Sequence, residues 1–422
     1  MGALVLTPNL ATWGIAALAT LGVILRPFSW PEAIWAVAGA ALLVLLGLMP
    51  WQVALDGVAK GTDVYLFLVG MMLLSEIARK EGLFDWLAAH AVRAAKGSAT
   101  RLFLLVYLVG TVVTVFLSND ACAVVLTPAV FAATKAAGVK DPLPYLLICA
   151  FIANAASFVL PISNPANLVV FAEHMPPLGR WLATFALPSL LAVLVTYAVL
   201  RLTQNGRLRS ESVATDVETP ALSLGGKVAA AGIVATGAAL IGASAAGIEL
   251  GLPTFVAGLA TALLVLAINR GGLVEVVKDV SWSVLPLVAG LFVLVEALEK
   301  TGVLRMIADM LKSAARADPA GTAWASGAIV AFGSNLVNNL PAGLLAGAAV
   351  QAAEVPPKIA GAILIGVDLG PNLSVTGSLA TILWLTAIRR EGEDVSAWAF
   401  LKLGILVMPP ALAAALAALL LV

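Results

Sequence analysis

The stretch VYLFLVGMMLLSEIARKEGLF, Val64 to Phe84, returns 220 residues later as VLPLVAGLFVLVEALEKTGVL, Val284 to Leu304. The register needs no gap: it pairs Gly70 with Gly290, Glu76 with Glu296, Lys80 with Lys300 and Gly82 with Gly302. The same shift carries Asn119 onto Asn339, and a shift of 214 carries Asn154 onto Asp368. A period this long is a domain duplication rather than a solenoid. Internal repeats of this kind mark secondary transporters.

Outward from the two copies, one stretch reads as a soluble linker: Thr203 to Gly226, with Arg207, Arg209, Glu211, Asp216, Glu218 and Pro220. The division is therefore a first repeat over 1–202, a linker over 203–226 and a second repeat over 227–422. Three spanning helices are expected at 10–26, 33–49 and 64–79, mirrored at 227–246, 252–269 and 284–300. Amphipathic segments at 82–96 and 302–316 then belong in the interface plane. Ser118-Asn119-Asp120 interrupts the next apolar stretch of the first half. Ser334-Asn335 and Asn338-Asn339-Leu340-Pro341 interrupt its counterpart, so hairpins over 101–135 and 322–353 read as re-entrant. Each half closes with a discontinuous helix, broken at Pro161 to Pro165 or from Gly370-Pro371 to Gly377-Ser378, and a full helix.

The expectation is an all-α polytopic membrane protein of ten spans and two hairpins. Five spans per half is an odd number, so the second copy starts on the opposite face and the repeats are inverted. Lys60, Arg180, Lys300, Arg305, Lys312, Arg316 and Lys358 fall on one face, leaving 17 of the 24 basic residues on the face that receives the linker. By the positive-inside rule the linker is cytoplasmic and both termini lie outside a bacterial inner membrane.

Composition agrees. The 422 residues are 61% hydrophobic and 11% charged, against roughly a quarter charged in soluble domains. Mean hydropathy is +1.02. Runs such as Trp181 to Leu200 and Phe400 to Val422 reach the roughly 20 residues a spanning helix needs. Net charge is zero, with 24 basic and 24 acidic residues, so nothing points to nucleic acid. The N-terminus lacks the basic n-region and cleavage site of a removable signal. Cys122 and Cys149 sit in apolar segments and read as packing residues. No P-loop, GxSxG, HExxH or CxxC motif occurs, which disfavours an ATP-driven or hydrolytic enzyme. No cofactor or metal is expected.

Candidate chemistry lies in the breaks. A broken helix in hydrocarbon frees backbone groups that cost several kcal/mol each unless protein or water satisfies them. Half-helix ends present free N–H and C=O groups to a polar solute, and Ser, Thr and Asn add donors and acceptors. Asp120 and Asp368 are the carboxylates placed inside the breaks, and an ionisable residue at membrane depth is a proton or cation carrier by default; the alternative for each is a cap on a helix end. Glu76 and Glu296 read as interfacial ion pairs, and His90 and His174 as solvated.

At this point FLSNDACAVVLTPAV at 116–130, ISNPANLVV at 162–170, SNLVNNLPAGLL at 334–345 and GVDLGPNLSVTGSLATILW at 366–384 together resemble the ArsB arsenite efflux permeases. These belong to the ion transporter superfamily, with citrate and sodium-coupled dicarboxylate carriers. The resemblance implies efflux of arsenite and antimonite driven by proton influx, elevator-like movement past a scaffold that often dimerises, and in some members pairing with an ArsA ATPase. It assigns substrate contacts to Asn119, Ser163, Asn164, Asn339 and Ser378, and proton coupling to Asp120 and Asp368; Asn335 and Thr376 join the substrate candidates because they cluster with these residues at the breaks. Asn154 stands where the second half has Asp368, which removes one candidate proton carrier. Arsenous acid is a neutral hydroxylated solute near pH 7, and no basic residue falls in the breaks. A sodium- or proton-coupled di- or tricarboxylate carrier and a passive channel remain as alternatives; paired broken units favour a carrier.

Overall fold

The computed structural model describes residues 7–171, 175–215, 217, 219–269 and 273–422. His174, Asp216, Glu218 and Arg270, on which parts of the sequence reading fell, lie outside the described residues. All the regular elements described are helical.

The first half contains α1 (Pro8–Leu25), α2 (Glu32–Leu45), α3 (Trp51–Lys60), α4 (Thr62–Lys80), α5 (Leu83–Ala95), α6 (Ala99–Phe116), α7 (Thr127–Ala136), α8 (Leu143–Ala155), α9 (Pro165–Phe171) and α10 (Leu178–Thr203). A short α11 (Asn205–Ser210) opens the linker. Then follow α12 (Leu224–Ala245), α13 (Gly251–Asn269), α14 (Leu273–Asp279), α15 (Val284–Lys300), α16 (Val303–Ala317), α17 (Pro319–Val337), α18 (Asn339–Ala353), α19 (Pro357–Leu369), α20 (Leu379–Arg390) and α21 (Ala397–Leu421). The order of lengths and breaks after α11 repeats that before it. Packing is reciprocal as well: α4 lies on α13 and α15 on α2, while α6 packs on α8 and α17 on α19.

Local chemistry sets many of these ends. Ser98, Ser223, Asp318 and Ser396 accept a backbone N–H from the first turn of the helix each precedes, which satisfies a donor the helix cannot. Gly82 and Gly302, paired by the repeat, take φ of +71° and +82° between α4 and α5 and between α15 and α16, a conformation that a Cβ disfavours. Gly70 and Gly258 let α4 and α13 touch backbone to backbone: a Cβ on Gly258 would collide with the Gly70 carbonyl.

Six described helices are long and apolar enough to cross a membrane: α1, α6, α10, α12, α13 and α21. Helices α3 and α4, bent by 48° at Gly61, make a seventh. The ten expected spans are therefore not ten continuous helices. The span expected at 33–49 stops at Leu45, because the chain turns at Gly47 with φ +68°. Helices α8 and α19 have 13 residues each, about 20 Å at 1.5 Å per residue, against a hydrocarbon core of about 30 Å. Both are apolar on every side and buried from Pro144 to Ala155 and from Ile359 to Leu369, as core helices are. They carry Asn154 and Asp368 into the centre of the molecule.

Arg79 binds Glu76 through two bonds of 2.6 and 2.9 Å. Glu296 pairs mainly with Lys60 of α3 at 2.5 Å, with its own-helix Lys300 at 3.9 Å. His90 is half-buried rather than solvated: its ring packs on that of Trp86 with the planes tilted by 37°, and its Nδ1 lies 2.8 Å from the Trp86 carbonyl. Cys122 and Cys149 are free and buried.

Candidate functional site

Between α6 and α7 the chain leaves the α-helix at Leu117 and re-enters through a π-helical turn, Ala121–Leu126. Pro128 cannot donate to the carbonyl four residues back, and its ring crowds that carbonyl, so the helix widens just before it. Ser118 Oγ accepts the Ala121 N–H at 3.2 Å, and Asn119 Oδ1 accepts the Asp120 N–H at 2.9 Å. In the second half Asn338 makes the corresponding break with φ +69°, its Oδ1 accepting the Leu340 N–H at 3.3 Å.

The two discontinuous helices are stitched by side chains. Ser163 Oγ donates to the Val115 carbonyl at 3.0 Å and accepts the Leu160 N–H at 3.2 Å. Asn167 Nδ2 donates to the carbonyls of Ser157, Leu160 and Pro161 at 2.9 to 3.3 Å. On the other side Asn335 Nδ2 donates to the Gly370 carbonyl at 3.0 Å, and Thr376 donates to the Asn335 carbonyl at 3.2 Å. Ser378 caps α20, accepting the Thr381 N–H at 3.1 Å. Its hydroxyl also meets Asn154 Oδ1 at 3.3 Å, while Asn154 Nδ2 reaches Asn372 Oδ1 at 3.1 Å and Thr381 Oγ1 at 3.3 Å. Asn164 Nδ2 donates to Asp368 Oδ1 at 2.7 Å, and Asp368 Oδ2 is buried without a partner.

Where the breaks converge lies a cavity of 30 Å³, lined by Leu68, Asn119, Asp120, Asn164, Pro165, Val284, Val288, Asn339, Leu340, Leu379 and Ala380. The 220 shift exchanges Asn119 with Asn339 and Leu68 with Val288, so the cavity sits where the two halves meet. Volume of this size holds about two water-sized groups.

Two larger vestibules flank it. One of 460 Å³, with Met71, Met72, Glu76, Arg79, Asp279 and Arg390 on its walls, shares Leu68, Asp120, Pro165 and Val284 with the cavity. The other, of 380 Å³ with Lys60, Asp63, Glu249, Glu296 and Glu299, shares no lining residue with it. The cavity thus continues into the first vestibule. Leu340 lines the cavity in the place that corresponds to Asp120. Each vestibule carries an ion-pair clasp, Lys80 to Asp279 at 3.0 Å in the first and Lys60 to Glu296 in the second. The Lys80 ammonium holds the Asp279 carboxyl below the usual carboxylate range.

Of the sequence candidates, Asn119, Asp120, Asn164 and Asn339 come together on the cavity wall. Asp368 lies behind Asn164. Ser163, Asn335, Thr376 and Ser378 bond the broken backbone and neighbouring side chains. Ser157 and Thr381, which tie Asn154 and Asp368 into the network, escaped the sequence reading because they sit just outside the Gly-Pro-Asn signals of the breaks. Among the described residues no group of three or more His, Cys, Asp or Glu could hold a metal ion.

A citrate transporter family model matches residues 20–367. An arsenical pump membrane protein of Escherichia coli is 25% identical over 433 residues, covering 98% of this chain and 96% of its own. That of Escherichia coli strain K12 is 27% identical over 363 residues, 83% of this chain and 84% of the other. Among solved structures, the YdaH transporter of Alcanivorax borkumensis superposes with a TM-score of 0.60 at 14% identity, covering 98% and 97% of the two chains. MtrF of Neisseria gonorrhoeae, described as illuminating a class of antimetabolite efflux pumps, gives 0.52 at 14% identity, covering 99% and 95%.

Proposed function

The chain belongs to the CitMHS citrate transporter family and is a multi-pass membrane transporter, and we propose that within that family it exports arsenite and antimonite by proton antiport. The observation that carries this reading is the central cavity. It is small, its polar groups are three amides and one carboxyl, and no basic side chain lines it. A tricarboxylate needs far more room and more positive charge; arsenous acid, an uncharged molecule bearing three hydroxyls, needs only a widening of the cavity toward the adjoining vestibule, and it matches amide donors and acceptors. The relatives named as arsenical pumps support the same substrate.

In this proposal the halves 1–202 and 227–422 are inverted repeats, joined by a cytoplasmic linker over 203–226, with both termini periplasmic. Asn119, Asn164 and Asn339 hold the solute; Ser163, Asn335, Thr376 and Ser378 keep the half-helix ends that face it in place. Asp120 and Asp368 exchange protons. The open vestibule, which carries Arg79 and Arg390, is on the cytoplasmic side, so the conformation is inward-facing. The hairpins and broken helices then move as a unit, elevator-fashion, to bring the cavity to the acidic vestibule. A homodimer and an ArsA-type ATPase are compatible partners.

Everted vesicles provide the test. A pH gradient should drive arsenite accumulation and an uncoupler should abolish it; sodium dependence with inhibition by citrate or succinate would overturn the proposal.

A further inference from the structure

Among the buried side-chain oxygens without a hydrogen-bond partner are Asp368 Oδ2 and Asn167 Oδ1, the carboxyl and amide oxygens of two fully buried residues. The amide orientations around them are fixed. Asn167 Nδ2 faces three carbonyls, so its Oδ1 must point the other way. Asn164 Oδ1 accepts the Ala166 N–H at 3.0 Å, so its Nδ2 must face Asp368 Oδ1. Oδ1 of Asp368 is therefore committed as an acceptor. A proton on this carboxyl belongs on Oδ2, where it needs an acceptor.

The repeat indicates which acceptor. The shift of 214 carries Asn154 onto Asp368 and Asn167 onto Thr381. In one copy of this arrangement Asn154 Nδ2 donates to Thr381 Oγ1 at 3.3 Å. In the other, the same two places hold Asp368 and Asn167, the residues with the two orphaned oxygens. Ser157 adjoins both: its carbonyl accepts from Asn167, and its side chain is a neighbour of Asp368. The Ser157 hydroxyl proton is already given to the Asn154 carbonyl at 2.8 Å.

We propose that Asp368 Oδ2 and Asn167 Oδ1 form a proton-binding site, in which one proton sits on the carboxyl and is donated to the amide oxygen. This rests on the reading of Asp368 as a proton-coupling residue and adds Asn167 as its positioning residue. Around α19, which carries Asp368, pack α8, α9, α10, α17, α18 and α21. Their charged residues, with those of α19 itself, are Arg180, Arg201, Lys358 and Lys402, and none of them interacts with Asp368; Tyr145 and Cys149 of α8 and Tyr197 of α10 are the other titratable groups. A bare carboxylate here would be uncompensated, whereas the neutral acid uses both oxygens. At the mirror place Asn154 bonds through both ends of its amide and has no proton to exchange, so the site is single.

Infrared difference spectroscopy of the purified protein across a pH titration reads this site whatever the transported solute. One protonated-carboxyl carbonyl band should vanish in Asp368→Asn. In Asn167→Leu, which removes the acceptor, the same band should shift to higher frequency and titrate at lower pH; Asn167→Ser is the second variant should the leucine fail to fold. The proposal is overturned if no band is lost in Asp368→Asn. A band unmoved in both Asn167 variants, or moved instead by Ser157→Ala, or displaced by sodium, also overturns it. Absence of arsenite transport with the band behaviour intact would remove the substrate assignment alone.

Discussion

Asn164 donates to Asp368 at 2.7 Å across 204 residues of sequence, and the 214 shift turns this pair into Ser378 and Asn154, which are bonded to one another at 3.3 Å. Two equivalent bonds thus cross between the broken helices, one ending on an acid and one on an amide. Removing one partner of such a buried bond leaves the other unsatisfied. Asn164→Ala should destabilise the protein by about 1–3 kcal/mol, read as a lowered unfolding temperature in detergent. Because replacing both partners by apolar groups is close to neutral, Asn164→Leu combined with Asp368→Leu should be less destabilised than Asp368→Leu alone.

The repeat, the breaks and most of the polar cluster could be read from the sequence, since Gly, Pro and Asn in apolar surroundings have few structural explanations at membrane depth. Division of labour within the cluster could not. Ser163 and Asn164 are neighbours, yet one hydroxyl ties down the Val115 carbonyl while the next amide lines the cavity. That difference depends on which way each side chain leaves an irregular backbone, and no spacing rule encodes it. The end of α2 was hidden for a similar reason: hydropathy does not see the +68° φ at Gly47, where the chain turns after Leu45.

This division gives a kinetic prediction. Asn119→Ala and Asn339→Ala each remove one cavity group, and a typical hydrogen bond contributes about 0.5–1.5 kcal/mol. Each should raise the KM for arsenite by up to about tenfold; Asn339→Ala should leave the melting temperature near that of the parent, whereas Asn119→Ala should also lower it, because Asn119 Oδ1 accepts the Asp120 N–H. Ser163→Ala should do the reverse, lowering stability with KM little changed. Equal effects of all three on KM would count against the assignment.

Asp120 differs from Asp368 in lying on the boundary between cavity and open vestibule. An amide there keeps the shape and removes the titration. Asp120→Asn should therefore fold and still bind arsenite, but lose transport driven by a pH gradient. Full retention of gradient-driven transport would remove Asp120 from the coupling reaction; its side chain makes no capping bond to the π-helical turn.

Close approach of α4 and α13 gives a packing prediction. A side chain at Gly258 would be driven into the Gly70 carbonyl, a backbone atom that cannot rotate away, whereas a Cβ added at Gly14 would meet nothing within 4 Å. Overpacking of this kind costs typically about 1–3 kcal/mol, so Gly258→Leu should lower the unfolding temperature by an amount that matches that free energy. Gly14→Ala should leave it unchanged or raise it slightly, because alanine favours helix over glycine by about 1 kcal/mol.

The two vestibules can be assigned to their sides of the membrane with single cysteines at Met72 and Phe292, which the 220 shift exchanges and which line opposite vestibules. Cys122 and Cys149 are both free and fully buried, so a membrane-impermeant thiol reagent should find only the introduced group. Met72→Cys should react in everted vesicles and Phe292→Cys in right-side-out ones. The linker bonds its Ser223 hydroxyl to Glu81 at the end of α4, on the Met72 side, and the proposed topology puts 17 of the 24 basic residues on that face, so reversal of the two patterns would overturn the topology itself. Leu68→Cys, at the wall shared by the cavity and the open vestibule, should label from the Met72 side and be protected by substrate; labelling from the Phe292 side at equal rate would mean that the cavity opens both ways, and the protein would then be a channel.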